Sequence, residues 1–288
     1  MRRMIALLLL TVPAFALTPQ EEYTKNIADE NTGYAQATHA MLKIQDSAYL
    51  GEGQSATVWG RAGAPGSYHW APGAGGTLTA SIHGGKLSLA MNGKPAAGDI
   101  TRGIALDSDI DVVGQPTQVG ANVMGWRLFL YNQRSPIAKA FKGVSYYPFN
   151  AAFRVSATFT PDLQLPPKVF RTSRGTDKQF YHAGEAHFKL MGKDVTLPFY
   201  TGSNKPGDVN DMTAFYTDRL TGKGAYGAGR YVDVAGFGAF PPRTITIDFN
   251  QAYNPNCARS KHFTCPVAVD DIALVMTAGE RDPHYHGP

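Results

Sequence analysis

The sequence predicts an all-β dominated protein, an antiparallel sandwich or a partly closed barrel, with a short helical segment at its N-terminus. The chain contains 31 glycines and 19 prolines that separate many short apolar runs, and this punctuation is typical of strands joined by turns. Several runs alternate apolar and polar residues, which is the period of a half-buried strand. After residue 50 no segment has the apolar spacing of a long helix.

The first 16 residues have the pattern of a secretion signal. Arg2 and Arg3 precede a short apolar run over residues 5–12, and Ala14-Phe15-Ala16 fits a small-x-small cleavage site. The run is much shorter than the roughly 20 residues that a membrane-spanning helix needs. We therefore expect cleavage before Leu17, export to the periplasm or cell envelope, and no transmembrane span.

Residues 17–46 form the predicted helical segment. Thr18 is suited to cap a helix, Pro19 to occupy its first position, and Glu21 to complete a capping box. The apolar stripe that follows is imperfect and Gly33 interrupts it, so two shorter helices are an alternative. We expect this segment to pack against the sheet.

Residues 47–283 are predicted to form a single β-rich domain, followed by a tail over residues 284–288. A hairpin is expected around Gly84-Gly85 because the residues on either side alternate in polarity. Strict period-two runs over 153–159 and 245–249 predict further strands. Residues 59–76 are rich in Gly, Ala and Pro and are predicted to form an irregular loop.

The charge pattern argues against some classes of partner. The formal net charge of +4 includes Arg2 and Arg3 of the signal, and Lys and Arg are scattered along the chain. Nucleic-acid binding needs a basic stripe, so no nucleic-acid partner is expected.

Polar residues concentrate near the C-terminus, in three short elements. The first, Tyr226 to Tyr231, contains a GxG pattern, which favours a tight turn or bulge over a phosphate site because strand-like residues follow it. In the second, Asp248, Asn250, Tyr253 and Asn254 either converge on a ligand or satisfy buried backbone groups. The third contains Glu280, which follows an apolar run over residues 272–276 that is predicted to be a strand.

These elements resemble the domain-of-unknown-function family 1684, with its TYGAGRY, DFNxAYNPxC, CP and AGE elements. The resemblance extends from about Gly125 to Arg281 and implies a β-rich domain, but no activity. It makes Tyr226 and Arg230 candidate site residues, and it implies that Glu280 faces Arg230 or the asparagine loop. The chain departs from the family pattern after Pro266, where residues 267–271 replace a proline-rich stretch with a Glu-Asn pair.

Two cysteines in an exported protein usually form a disulfide. Cys257 and Cys265 are therefore predicted to pair, closing a short loop after the asparagine element. A two-thiolate metal site is the alternative, although zinc and iron–sulfur sites need further ligands.

Histidines supply the candidate metal ligands. His284 and His286 form an H-x-H pair that suits copper or zinc, with a plain tail as the alternative, and His182 and His187 form a second cluster. That cluster lacks the HExxH spacing of a metalloprotease.

Three hypotheses about function follow. The first is an accessory or binding protein of the cell envelope, with a polar pocket for a small anionic or polar ligand, or with an envelope protein as partner. The second is a copper-dependent redox protein similar to a superoxide dismutase, which is favoured if the protein is an enzyme. The third is a hydrolase that uses Asp248 and Glu280 as acid and base.

Overall fold

A short helix precedes three β-sheets in the protein, a computed structural model that describes residues 17–73 and 75–281. Helix α1 (Pro19–Asn31) begins with the predicted capping box, because the Thr18 hydroxyl accepts from the Glu21 amide and the Glu21 carboxylate accepts from the Thr18 amide. A π-helical turn (Thr32–Gln36) and a 3-10 turn (Met41–Lys43) continue it, and α2 (Pro136–Ala140) is a single short turn. The predicted signal over residues 1–16 and the tail over 284–288 lie outside the described residues.

Strands account for most of the regular structure, which confirms the predicted fold class. They are β1 (Ile44–Leu50), β2 (Ser55–Arg61), β3 (Ala64–Ala71), β4 (Leu78–His83), β5 (Lys86–Met91), β6 (Lys94–Pro95), β7 (Ile104–Asp107), β8 (Ile110–Gly120), β9 (Val123–Asn132), β10 (Arg154–Pro161), β11 (Pro167–Arg171), β12 (Asp177–Leu190), β13 (Lys193–Thr201), β14 (Asp211–Asp218), β15 (Arg230–Ala235), β16 (Thr244–Asp248) and β17 (Asp270–Ile272).

The first two sheets pack face to face. One has the order β1-β9-β8-β7 and the other β3-β2-β4-β5-β6, and all neighbours in both are antiparallel. Val58 and Leu78 of one sheet share a buried cluster with Ile110 and Leu128 of the other. The hairpin at Gly84-Gly85 joins β4 to β5 as predicted.

The third sheet curls into a nearly closed barrel with the order β15-β14-β13-β12-β10-β16. Its first and last strands approach each other, and beside them Tyr231 and Tyr253 exchange two backbone hydrogen bonds of 2.9 and 3.0 Å. Ala157 and Phe159 of β10 and Ile245 and Ile247 of β16 point into the barrel core. This pattern confirms the period-two strands predicted from the sequence.

The sandwich docks on the barrel through polar and aromatic contacts. The side-chain amide of Gln118 in β8 exchanges two hydrogen bonds of 2.8 Å with the backbone of Gln179 in β12. Phe129 of β9 packs on Phe263, with ring centroids 5.0 Å apart. A buried cluster therefore continues from the sandwich into the C-terminal loops.

The prediction of an irregular loop over residues 59–76 is wrong, since the segment contains the end of β2 and all of β3. The physical reason is a close approach of two strands. A Cβ atom at Gly60 would lie 2.3 Å from the Tyr68 ring, so glycine is needed where the buried Tyr68 crosses β2. In the sequence this glycine resembles a loop residue.

No helix in the described part of the chain has the length and hydropathy that a membrane crossing requires.

Candidate functional site

Asn250 links the end of β16 to the loop that precedes β10. Its side-chain oxygen accepts from the Asn150 amide at 2.9 Å, and its side-chain nitrogen donates to the Asn150 carbonyl at 3.0 Å. The nitrogen also donates to Asp248 Oδ1 at 2.8 Å, and Asp248 Oδ2 lies 3.4 Å from Arg154 Nη1. Asn250 and Asp248 thus bind backbone groups and neighbouring side chains. This is the structural alternative for these residues, rather than the ligand-binding one.

Arg230 is fully buried at the start of β15. Its guanidinium donates to Asp218 Oδ2 at 2.7 Å and to the backbone carbonyls of Met276, Ala278 and Glu280. The preceding Gly229 has φ +90°, and a Cβ atom there would lie 2.4 Å from Ala268 Cβ. The glycine element is therefore a close-packed bend, and Arg230 holds the C-terminal segment against the barrel.

Glu280 is also fully buried, and its carboxylate forms an ion pair with Arg259 rather than with Arg230. Its second carboxylate oxygen accepts from the backbone amide of Asn254 at 2.6 Å. The expectation that the Glu280 side chain faces the asparagine loop is met, whereas the side-chain pair with Arg230 is not formed. Neither Asp248 nor Glu280 is among the residues that line the cavity described below, so that cavity gives no support to the pair as acid and base of a hydrolase.

Cys257 and Cys265 lie next to each other as buried free thiols. The Cys257 amide donates to Cys265 Sγ at 3.3 Å. A hydrogen bond from Cys265 lowers the pKa of the Cys257 thiol to about 7, and hydrogen bonds from Ser173 and Tyr226 act in the same direction. Burial raises the pKa of Tyr226 to about 12, and its contact with Cys257 adds to the shift. The predicted disulfide is not formed in this structure, although the two thiols are neighbours.

A cavity of about 280 Å³ lies between α1 and the barrel, and it is the strongest candidate site. Two predicted site residues, Asn250 and Tyr253, line it, whereas Tyr226, Arg230, Asp248, Asn254 and Glu280 do not. The complete lining is Tyr23, Asn26, Ile27, Asp29, Glu30, Tyr146, Asp233, Asn250, Gln251 and Tyr253. Half of these residues belong to α1, which the sequence-based interpretation treated as packing only.

Each of two carboxylates in this cavity is held by a tyrosine. Tyr146 donates to Glu30 Oε2 at 2.7 Å, and Tyr253 donates to Asp233 Oδ2 at 2.9 Å. Thr213 donates to the other oxygen of Asp233 at 2.6 Å. These hydrogen bonds fix both carboxylates at the cavity wall.

Loss of hydration changes the acidity of both carboxyl groups. Burial raises the pKa of Glu30, against the opposing effect of its hydrogen bond from Tyr146. Partial desolvation also raises the pKa of Asp233, although the residue keeps access to solvent in β15. Raised carboxyl pKa values in a concave site are a recognised mark of functional sites.

One signal in the sequence could have identified four of the ten residues that line this cavity. Tyr23, Asn26, Ile27 and Glu30 stand at positions i, i+3, i+4 and i+7 of α1, which places them on one helix face. Asp233 gave no such signal, because a polar residue facing outward from a strand is ordinary.

The predicted metal ligands are not brought together within the described residues. His182 contacts Asp162 at 3.3 Å, while His187 contacts Thr196 and Thr160 at 3.1 Å each. Across residues 17–73 and 75–281, no group of three or more His, Cys, Asp or Glu side chains is placed to hold a metal ion. His284 and His286 lie outside these ranges, so the copper hypothesis gains no geometric support.

Comparison with known proteins identifies a family but no activity. No curated protein matches the chain. A solution NMR structure of an uncharacterized protein from Haloarcula marismortui is similar, with 28% sequence identity over 51% of this chain and 80% of that chain and a TM-score of 0.43. Residues 139–281 match the family described as proteins of unknown function, DUF1684. Residues 139–281 of the chain therefore belong to the DUF1684 family.

Proposed function

We propose that this chain is an exported binding protein of the cell envelope that holds a small polar ligand in the cavity between α1 and the barrel. The observation that carries the proposal is the pair of tyrosine-held carboxylates, Glu30 and Asp233, on opposite structural parts of one cavity. Fixed polar groups in a concave site are what orientation and specificity of a small ligand require.

The elements around the cavity support this role by their rigidity. On the barrel side, Asn250 forms two hydrogen bonds with the backbone of residue 150. The buried Arg230 strengthens the same side through its bond to Asp218. On the other side, Tyr23 is buried and donates to the Tyr147 carbonyl at 2.6 Å. The barrel side of such a site needs little reorganisation when a ligand binds.

The charges of the lining residues distinguish between the two kinds of ligand expected from the sequence, an anionic one and a neutral polar one. No Lys, Arg or His is among the residues that line the cavity, so an anionic ligand would meet carboxylates and find no cation in the lining to pair with. A neutral polar or cationic ligand fits the wall better. We therefore keep the polar-ligand expectation and drop the anionic one for this cavity.

A ligand screen tests the proposal directly. Purified protein that begins at Leu17 is screened by thermal shift against sugars, amines, amino acids and carboxylic acids, and hits are measured by calorimetry. We expect at least one class to bind, and Glu30→Gln and Asp233→Asn each to weaken it. Asp194→Asn is the matched control, because Asp194 is exposed and pairs with Lys189 outside the cavity. Equal binding by all three variants would place the ligand elsewhere, and no binding at all would reject the proposal.

The exported location rests on the sequence of residues 1–16 alone. Cell fractionation of the full chain, with N-terminal sequencing of the product, tests it. We expect a processed chain beginning at Leu17 in the envelope or periplasmic fraction. An unprocessed chain in the cytoplasmic fraction would contradict this part of the proposal and leave ligand binding to be judged by the screen.

A hydrolase remains the second candidate, now with Glu30 and Asp233 in place of Asp248 and Glu280. The position of both carboxyl groups on one cavity wall favours it, since acid–base hydrolysis uses two carboxyl groups that flank one substrate. Chromogenic glycosides and esters are the test substrates. Hydrolysis that Glu30→Gln and Asp233→Asn both abolish would support this candidate, and the absence of turnover on all substrates would reject it.

A further inference from the structure

The tyrosine hydroxyls around the cavity already donate hydrogen bonds to other groups of the protein. Tyr23 donates to the Tyr147 carbonyl, Tyr146 to Glu30 and Tyr253 to Asp233. Because a phenol has a single proton to donate, these three residues offer a ligand only acceptor lone pairs and ring surfaces. The cavity is therefore poorer in donors than its residue types suggest.

Acceptor groups remain in excess on the same wall. An ionised carboxylate has about four lone-pair sites, and the hydrogen bonds described above use one site of Glu30 and two of Asp233. Three of the six amide N–H groups of Asn26, Asn250 and Gln251 are engaged, since Asn250 donates to residue 150 and Asp248, and Asn26 donates to Gln251. A bound molecule thus meets mainly acceptors.

Of the three acidic residues in the lining, Asp29 pairs with Lys25, whereas the charges of the other two are less well compensated. Asp233 forms no ion pair with a Lys or Arg of the described residues, and the carboxylate of Asp211 acts on it with the same sign. The cation that acts on Glu30 is Arg259, whose own ion pair is with Glu280. The chain as a whole has more Lys and Arg than Asp and Glu, so this acidic wall does not reflect overall composition.

We propose that the ligand is a small organic amine in its protonated form, whose N–H groups donate to Glu30 and Asp233. The carbon frame of the amine packs on the rings of Tyr23, Tyr146 and Tyr253, where cation–π attraction adds to the contact. This inference rests on the proposed function, since it assigns a ligand class to the same cavity.

Matched probes separate the charge from the shape of the ligand. Calorimetry is done with 2-phenylethylamine, with its uncharged analogue 2-phenylethanol, and with glucose as a neutral polyol, all at neutral pH and low salt. We expect the amine to bind at least about tenfold more tightly than the alcohol. Glu30→Gln and Asp233→Asn should each weaken the amine about threefold to fivefold, as one partly exposed charge pair would, and leave the alcohol unchanged. Asp194→Asn removes the same charge outside the cavity and should alter neither affinity.

The outcomes distinguish this inference from the proposed function. Equal affinity for amine and alcohol, or binding of glucose alone, would overturn the amine inference while the cavity remains a binding site. Amine binding that Glu30→Gln and Asp233→Asn do not affect would also overturn it, because the amine would then sit elsewhere. Binding of none of the probes, together with an empty result in the broader screen, would reject both.

Discussion

Arg230 donates to the carboxylate of Asp218 and to three backbone carbonyls without reaching solvent. The ring of Tyr216 lies 5.7 Å from its guanidinium carbon. A buried charge of this kind is tolerated only where a partner and hydrogen bonds replace the lost hydration. Its role is to fasten the segment over residues 276–280, rather than to meet a ligand.

Replacement of Arg230 should therefore destabilise the fold strongly. Arg230→Met leaves Asp218 as an unpaired buried charge, and we expect a loss of about 3–5 kcal/mol in the free energy of unfolding. Urea denaturation measures it. The control is Arg171→Met, because Arg171 and Asp177 form an exposed pair whose loss should cost less than about 1 kcal/mol. Similar losses in both variants would show that the buried ion pair contributes no more to stability than the exposed one.

His262 makes stability depend on pH. Burial lowers the pKa of its imidazole from 6.5 to about 4, and Lys261 and Arg174 act in the same direction. Because the folded pKa lies below the unfolded one, the unfolded chain binds the proton more readily between these values. The stabilisation is complete above about pH 6.5 and is lost as the pH falls toward about 4.

The expected size of the His262 effect is up to about 3 kcal/mol at acidic pH. Thermal unfolding at pH 7.5 and pH 5, of the natural chain and of His262→Gln, measures it. His262→Gln should be less sensitive to acid than the natural chain, because it removes the titrating group. An unchanged pH dependence would mean that other groups control acid stability.

At the scale of elements, α1 is anchored by a single buried residue, Tyr23. Its ring packs on Tyr146 and Phe149, with centroids 6.1 and 5.7 Å away. Polar contacts add to this packing, such as the ion pair of Arg154 with Glu22 at 3.2 Å. The helix that forms half of the cavity is thus held less firmly than the barrel that forms the other half.

Tyr23→Ala should release α1 while the barrel stays folded. We expect the amides of α1 to lose protection in hydrogen exchange, because a short helix has little stability without tertiary packing. The amides of β12 and β13 should keep theirs. Tyr23→Phe is the control, since it removes only the hydroxyl and its hydrogen bond. Unchanged protection of the α1 amides in Tyr23→Ala would show that the other contacts of the helix are enough to hold it on the barrel.

The loop between Cys257 and Cys265 should become covalently closed under oxidising conditions. The lowered pKa of Cys257 increases its thiolate fraction, and the thiolate is the form that exchanges with a disulfide oxidant. We expect intact mass to show the loss of two hydrogens, with a gain of about 2–3 kcal/mol for a loop of about nine residues. Cys257→Ser should show neither change. Two thiols that persist after exposure to oxidised glutathione would contradict the prediction.

On the scale of the whole molecule, the sandwich and the barrel share the cluster around Phe129 and Phe263. The guanidinium of Arg127 lies 4.7 Å from the Phe129 ring and 5.5 Å from the Phe263 ring. The continuous buried contact indicates that the two parts unfold together, since separate units need few contacts across their boundary.

Phe263→Ala should weaken this coupling. We expect a loss of about 3 kcal/mol from the cavity that it leaves and a separation of the single unfolding transition into two. Phe240→Ala is the control, because Phe240 contacts Phe159 of the barrel, with ring centroids 6.5 Å apart, and does not bridge the two parts. Calorimetry at low heating rate distinguishes the two results. A single transition in Phe263→Ala would show that other contacts suffice for cooperativity.

The family region and α1 combine to make the cavity. Tyr146, Asp233, Asn250, Gln251 and Tyr253 lie within the matched residues 139–281, whereas the rest of the lining precedes them. The site is therefore a property of the whole chain rather than of the family region alone.

The sequence by itself determined the local features. The capping box of α1, the hairpin at Gly84-Gly85 and the alternation in β10 and β16 depend on neighbours within a few residues, so their patterns are visible without the fold. It also located the motifs of the C-terminal part and their family, because those motifs contain unusual residues at short spacing.

Only the tertiary structure decided which polar residues meet. Arg230 and Glu280 have different buried partners, Asp218 and Arg259, because the strand order of the barrel sets which segments become neighbours. Glu30 and Asp233 stand 203 positions apart in the numbering and share a wall only because α1 lies across the barrel. Such contacts depend on the path of the chain, which no local pattern contains.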